Sequence, residues 1–157
     1  MGLSAILQSA FFDSRFKFGV HIVQVVFITI AIILSIVRIS MPLPQRAHIM
    51  GIAIGFKSLV FISYQLLTEH SVKFRKWASA KANFILNVIE LPFWGAVMGM
   101  VFIANRNSCT GASCGVSWAM AVVGFILFHF AGWTAVVTYN EYRQFKGRKT
   151  VRETNSV

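Results

Sequence analysis

Four long apolar runs, separated by short polar segments, make up most of the chain. They cover residues 18–37, 47–67, 82–104 and 116–139. A helix needs about 20 apolar residues to cross the hydrocarbon core of a bilayer, and each run is long enough to do so. Because the connections are short, successive helices are expected to run side by side in opposite directions. The pattern predicts an all-α fold, an antiparallel bundle of four transmembrane helices.

The composition agrees with that fold. The chain has 157 residues, of which 56% are hydrophobic and only 13% are charged, whereas a soluble domain has about 25% charged residues. We therefore expect a transmembrane domain over residues 18–139, preceded by a short cytoplasmic segment, 1–17, and followed by a basic cytoplasmic tail, 140–157. We expect the tail to lose helical order after its first turns.

The distribution of positive charge predicts the orientation. The formal net charge is +10. Eleven of the fifteen cations would lie on the side of the termini and the 68–81 loop, and only Arg38, Arg46 and Arg106 on the opposite side. By the positive-inside rule, both termini are expected to be cytoplasmic and the loop 105–115 extracellular or lumenal.

The same charges indicate a lipid partner rather than a nucleic acid. The basic residues flank apolar runs and form no soluble basic face with interleaved aromatic side chains. Basic segments beside a membrane attract anionic headgroups of the cytoplasmic leaflet. The candidate headgroup-binding residues are Lys73, Arg75, Lys76, Arg143, Lys146, Arg148 and Lys149.

The third apolar run carries a polar stripe. Asn83, Asn87 and Glu90 follow one another at i, i+4 and i+7, so they share one helical face with Trp94. A polar stripe at this depth must face other helices or water rather than lipid. Two further titratable residues lie near the middle of their runs, Lys57 in the second and His129 in the fourth. We predict that Lys57, Glu90, His129, Asn83 and Asn87 form one intramembrane cluster.

Two interpretations of this cluster are open. In the structural one, Lys57 and Glu90 form a buried ion pair, and Asn83, Asn87 and His129 supply hydrogen bonds between helices. In the functional one, Glu90 carries a proton along a path through the membrane, and Lys57 or His129 tunes it. A relay needs titratable groups leading to both surfaces. Long apolar stretches such as residues 95–104 favour the structural interpretation.

Two cysteines lie between the third and fourth runs. Cys109 and Cys114 are separated by four residues, in a segment that the charge rule places in an oxidising compartment. We predict a disulfide between them. A metal pair is the alternative, but two cysteines without a nearby His or acidic residue leave such a site incomplete. No metal ligand set is predicted.

Small residues recur at the spacing that allows close helix contact. Gly51 and Gly55 form one G-x-x-x-G motif, and Gly95 and Gly99 form another on the face opposite Glu90. Such motifs permit close packing of membrane helices. They are predicted as packing sites within the bundle or as surfaces for another protein.

Motifs of catalysis are absent from the sequence. There is no H-E-x-x-H, no G-x-S-x-G and no glycine-rich phosphate loop followed by lysine. The four histidines are far apart, and none are paired at i, i+4. We therefore predict neither catalytic residues nor a cofactor, and we do not expect an enzyme.

Several motifs resemble those of MARVEL-domain proteins, particularly small fungal members. The motifs are Trp77-Ala-Ser79-Ala-Lys81, Glu90 with Phe93-Trp94, Cys109-Thr-Gly111-Ala-Ser-Cys114 followed by Ser117-Trp118, and Tyr142-Arg143-Gln144-Phe145-Lys146. The resemblance covers roughly residues 18–147. It implies a non-enzymatic protein of a eukaryotic plasma membrane or endomembrane, acting in membrane apposition, lateral organisation or vesicle traffic. The lysine at position 57 is not a mark of that family.

Three functional hypotheses follow. The first is a membrane-organising bundle whose loop and tail bind anionic lipid or cytosolic partners. The second is a small transporter or channel linked to protons or ions. The third is an accessory subunit of a larger membrane complex, or a homo-oligomer, in which the glycine motifs serve as docking surfaces.

Overall fold

A computed structural model describes residues 16–41, 46–70, 79–107 and 111–154 of the chain. These ranges contain no strand. Their four helices, each long and apolar enough to cross a membrane, are α1 (Lys17–Ile39), α2 (Arg46–His70), α3 (Ala80–Asn107) and α4 (Gly111–Thr154). The predicted all-α fold with four membrane-length helices is therefore confirmed.

The helices form a closed ring in which neighbours run in opposite directions. Each helix packs against the next one in the chain, and α4 packs back against α1. Lys17 at the start of α1 contacts Glu141 late in α4, and Arg38 at the end of α1 contacts Ser117 early in α4. We call the end with Lys17 and Glu141 the tail side of the bundle, and the end with Arg38 and Ser117 the far end.

The bundle carries large apolar side chains on its outer surface and many polar ones inside. Ile33, Phe56, Val60, Ile103 and Val122 are all more than half exposed. The apolar part of the interior is a layer in the middle of the bundle, and its members include Ile28, Ile32, Ile54, Val97, Met120 and Leu127. Buried polar side chains lie on either side of this layer. Such an exterior suits a lipid environment.

The first glycine motif packs α2 against α1. A Cβ atom added to Gly55 would lie 2.7 Å from Ile32 Cγ1, and one added to Gly51 would lie 3.0 Å from both Ser35 Oγ and Met120 Cε. The two helices therefore approach closely because these positions lack side chains. This face is buried within the bundle, so it cannot dock another protein as the third hypothesis required.

Large and small residues alternate along the contact between α3 and α4. A side chain of one helix lies over a glycine of the other at each of three successive levels, which are Leu91 over Gly132, Phe128 over Gly95, and Met98 over Gly124. Gly99, in contrast, has no neighbouring atom within 4 Å of an added Cβ. Of the second predicted motif, only Gly95 serves this packing.

Helix α4 is much longer than its apolar run. It begins at Gly111, where φ is 59°, a conformation that suits glycine, and it continues as one helix to Thr154. The expectation that the tail loses helical order after its first turns is therefore wrong. A helix already formed in the bundle adds further residues at low cost because nucleation is the expensive step.

We predict that Gly55→Ala destabilises the protein, while Gly99→Ala does not. Alanine gains up to about 1 kcal/mol over glycine within a helix. At position 55 that gain is outweighed by overpacking of about 1–3 kcal/mol, because the β-branched Ile32 has little rotamer freedom in a helix. Thermal unfolding of both variants in detergent would show a lower midpoint for Gly55→Ala only. Equal shifts would contradict this packing.

Candidate functional site

The carboxylate of Glu90 joins two helices in the middle of the bundle. Its Oε1 lies 3.0 Å from Lys57 Nζ of α2. Its Oε2 accepts hydrogen bonds from Ser58 Oγ of α2 and, at 3.0 Å, from Trp94 Nε1 one turn further along α3. Glu90, Ser58 and Trp94 are buried. Both carboxylate oxygens therefore contact donor groups, and these contacts link α3 to α2.

Lys57 lies at the edge of this site rather than within it. Its side chain is 24% exposed, in contrast to that of Glu90. Its ammonium lies 3.7 Å from the centre of the Phe93 ring and 5.0 Å from that of Phe61. Cation–π contacts of this kind stabilise a poorly hydrated ammonium. The ion pair therefore lies at the outer edge of the contact between α2 and α3, and two aromatic rings cover its outer side.

The polar stripe of α3 faces the interior, as its spacing predicts. Asn83 and Asn87 are buried on the same face as Glu90 and Trp94. Asn87 Nδ2 donates to the backbone oxygen of Asn83 at 3.0 Å, within the same helix. The structure thus brings Lys57 and Glu90 together and places both asparagines one and two turns towards the tail side.

His129 does not join the cluster, so that part of the sequence prediction is wrong. Its side chain is exposed, and its Nδ1 hydrogen bonds to the Phe125 backbone oxygen of its own helix at 2.9 Å. Its ring contacts Phe125 and Phe128 and borders an outer groove of about 500 Å³ with Trp133 and Phe16. The side chain of His129 points away from the interior, which its position along the sequence did not reveal.

Between Glu90 and the tail side, many of the buried side chains are polar. Lys17 and Glu141 form an ion pair of 3.0 Å at that end. The buried polar side chains between this pair and Glu90 come from all four helices, and we call them the tail-side polar core: His21, Gln24, Gln65, Thr68, Asn83, Asn87, Thr134 and Thr138. The apolar layer separates this core from the far end. Sequence analysis found only the asparagines of this set.

A second polar cluster lies at the far end and was missed by sequence analysis. Arg38 Nε donates to Ser117 Oγ at 3.1 Å, and His48 Nε2 lies 3.0 Å from the same oxygen. All three side chains are almost fully buried. Arg38 had been counted as a loop cation. Its seven-residue spacing from Ala31, which places both on the inner face of α1, was the signal that could have revealed it.

Other predicted site residues are only partly covered by the structure. Cys109, Lys73, Arg75 and Lys76 lie outside the described residues, so the disulfide and the loop contacts stay predictions. Cys114 lies in the first turn of α4. The remaining headgroup candidates lie on α4 beyond the bundle, and those with described side chains, Arg143, Lys146 and Arg148, are exposed.

We predict that the stability effects of Lys57 and Glu90 are coupled. Removing one partner of a buried ion pair leaves an uncompensated charge, so Lys57→Met and Glu90→Gln each lower the unfolding midpoint in SDS-containing mixed micelles. The double variant loses less stability than the sum of the losses in the two single variants, and the difference is a coupling free energy of about 1–3 kcal/mol. Exposed Lys81→Met combined with Glu90→Gln serves as the control and is additive. Additivity in the Lys57 pair as well would refute the coupling.

No family model, curated protein or solved structure matches this chain. Within the described part of the chain, no group of His, Cys, Asp and Glu side chains is placed to hold a metal ion. The function is therefore inferred from the geometry of the bundle, its two polar ends and the extended α4.

Proposed function

We propose that this protein is a non-enzymatic integral membrane protein that organises membranes by presenting a rigid basic helix at one face. The observation that carries this proposal is the continuity of α4, which leaves the bundle as a helix and carries the charged tail with it. We call its residues 143–154 the arm.

The arm continues α4 past its ring contact with α3. Tyr142 stacks on Phe84 of α3, with ring centres 6.1 Å apart, and residues 143–148 are all exposed. Twelve residues follow Tyr142, and a helix rises about 1.5 Å per residue, so the arm is about 18 Å long. A headgroup layer is only about 5–8 Å thick. The outer part of the arm therefore projects past the headgroups if it continues along the bundle axis.

The arm carries five cations and one acid. The cations are Arg143, Lys146, Arg148, Lys149 and Arg152, and the acid is Glu153. Each cation near an anionic membrane contributes about 1 kcal/mol, an effect that falls off within a Debye length of about 8 Å. The first cations can therefore bind the protein's own leaflet, while the distal ones are better placed to bind a second anionic membrane. An arm of this length and charge fits a role in holding two membranes close together.

Three further considerations support this proposal. The excess of positive charge on the tail side favours a cytoplasmic position for the arm, and the cytoplasmic leaflet is the one rich in anionic lipids. The predicted disulfide of Cys109 and Cys114 at the far end would fit an opposite, oxidising compartment. The resemblance to MARVEL-domain proteins of a eukaryotic plasma membrane or endomembrane implies the same kind of role.

We predict that liposomes containing the protein cluster vesicles rich in phosphatidylserine but not vesicles of phosphatidylcholine. Changing the distal cations Arg148, Lys149 and Arg152 together to Gln removes about 3 kcal/mol of attraction to the second membrane, roughly a hundredfold in binding. Clustering, followed by light scattering, should then be lost, and added salt should weaken it in the native protein.

The matched control neutralises Arg46 and Arg106, which are exposed at the far end. This variant should cluster vesicles as well as the native protein does, provided that the liposomes are sorted for outward-facing tails. If the arm variant clusters vesicles undiminished, the arm is not the binding element and the proposed function fails.

Proton-linked transport is a second candidate, favoured by the tail-side polar core. Buried polar side chains from four helices lead from the Lys17–Glu141 pair towards Glu90. This arrangement offers half of a path, and intramembrane carboxylates often carry protons. The apolar layer, with Val97, Met120 and Leu127, blocks the other half in this conformation. Transport would therefore require that layer to open.

The decisive measurement is proton and cation flux across liposomes containing the purified protein, beside a Glu90→Gln variant. We expect no flux above that of empty liposomes in either case, because the apolar layer closes the path. A flux that disappears in Glu90→Gln, with both proteins folded, would instead support transport and displace the organising role.

A further inference from the structure

A groove of about 420 Å³ lies at the tail side, between the beginning of α3 and the part of α4 that leaves the bundle. Its α3 wall includes Ser79 and Lys81, and its α4 wall includes Glu141, Tyr142 and Phe145. The volume is within the range of about 300–1,000 Å³ that is typical of small-ligand sites. One cavity therefore brings together an ammonium, a carboxylate and two aromatic rings.

The groove lies at the level of the lipid headgroups. Ser79 and Lys81 come directly before the apolar run 82–104, and Glu141 follows closely after the run 116–139. With the apolar runs in the hydrocarbon of a bilayer, the residues just beyond their ends lie in the interfacial layer. The ligands that this groove meets first are therefore the headgroups of the leaflet on the tail side.

The α4 wall suits a quaternary ammonium. Tyr142 and Phe145 are three residues apart, so they share one helical face. Phe84 stacks on the Tyr142 ring, and Phe145 is 58% exposed. Glu141 Oε2 contacts Lys17 at 3.0 Å, whereas its Oε1 has no partner among the described residues. Aromatic faces and a carboxylate both attract a quaternary ammonium, which has no hydrogen bond to donate.

The α3 wall suits a phosphate. Ser79 Oγ accepts a hydrogen bond from the backbone N–H of Ala82 at 3.3 Å, so its own hydrogen remains available to a ligand. Lys81 is exposed and forms no ion pair within the described part of the chain. Hydrogen bonds from an ammonium to a phosphate oxygen are among the strong ones. The two walls of the groove therefore attract groups of opposite charge.

This separation of charge favours a zwitterionic ligand over an anionic one. An acidic headgroup would bring a second negative charge towards Glu141, and a free phosphate would leave the aromatic wall without a partner. The type of cation follows from the rings. A primary ammonium is strongly hydrated and needs hydrogen-bond acceptors, which aromatic faces replace poorly, whereas a trimethylammonium needs none.

We propose that this groove binds the phosphocholine headgroup of a phosphatidylcholine molecule in the leaflet on the tail side. The trimethylammonium lies against Tyr142, Phe145 and the Glu141 carboxylate. The phosphate accepts hydrogen bonds from Lys81 and Ser79. A headgroup bound here bridges α3 to the first turn of the arm. The site uses none of the cations of the arm, so it is independent of the proposed function.

The test is thermal unfolding of the whole protein in a maltoside detergent, which contains neither phosphate nor choline. Phosphatidylcholine and phosphatidylethanolamine with identical acyl chains are titrated in parallel, since they differ only in the methyl groups on nitrogen. We expect a saturable rise in the unfolding midpoint, with phosphatidylcholine binding at least about fivefold more tightly. The Arg148→Gln, Lys149→Gln, Arg152→Gln variant of the arm should keep this preference, which separates the site from the proposed function.

Three variants locate the site. Phe145→Leu should weaken phosphatidylcholine binding about fivefold and leave phosphatidylethanolamine binding unchanged, and Phe145→Trp should preserve the preference, since tryptophan gives the best cation–π contacts. Both should fold, because Phe145 is largely exposed and makes no ring contact within the described ranges. Lys81→Gln should weaken the binding of both lipids alike. Phe16→Leu is the matched control, because Phe16 is 63% exposed on the tail side but lies outside the groove.

Three results would overturn the proposal. One is the absence of a saturable midpoint rise with phosphatidylcholine in the native protein. Another is equal affinity of the native protein for phosphatidylcholine and phosphatidylethanolamine. The third is a full preference for phosphatidylcholine in Phe145→Leu, or an equal loss of that preference in Phe16→Leu, since either result would place the choline contact elsewhere.

Discussion

The buried carboxylate of Glu90 is the constraint on which the packing of α2 and α3 depends. In a hydrocarbon surrounding, a carboxylate is tolerated only where donors surround it. Lys57 and Ser58 provide donors from α2, and Trp94 provides one from α3 itself. The ion pair and hydrogen bonds of this carboxylate determine which face of α3 points inwards, and they hold α2 against that face. The asparagines of the same stripe are then carried into the interior.

The sequence revealed this stripe because spacing alone determines which residues share a helical face. It could not reveal the rotation of α4, on which the position of His129 depends. That rotation is set by the alternation of large and small residues at the α3–α4 contact, where Phe128 lies over Gly95. Phe128 points towards α3, so the adjacent His129 is turned outwards. His129 therefore lies on the wrong face of α4 for the cluster.

Arg38 and the tail were misjudged for a related reason. Counting cations between apolar runs treats each of them as solvated, but Arg38 is on the inner face of α1 and is 1% exposed. The tail was expected to lose helical order after its first turns, although its residues continue a helix that the bundle has already nucleated. In both cases, the structure of a residue depends on the helix to which it belongs and on how that helix packs.

The ends of the bundle differ in a way that bears on how the arm can work. At the tail side, Lys17 ties α1 to Glu141, and Phe84 stacks on Tyr142, immediately before the arm begins. These contacts hold α4 on two sides at the point where it leaves the bundle. A flexible basic tail would lose conformational entropy each time it bound a surface. An arm held in this way has already lost most of that freedom on folding, so more of its charge attraction remains as binding energy.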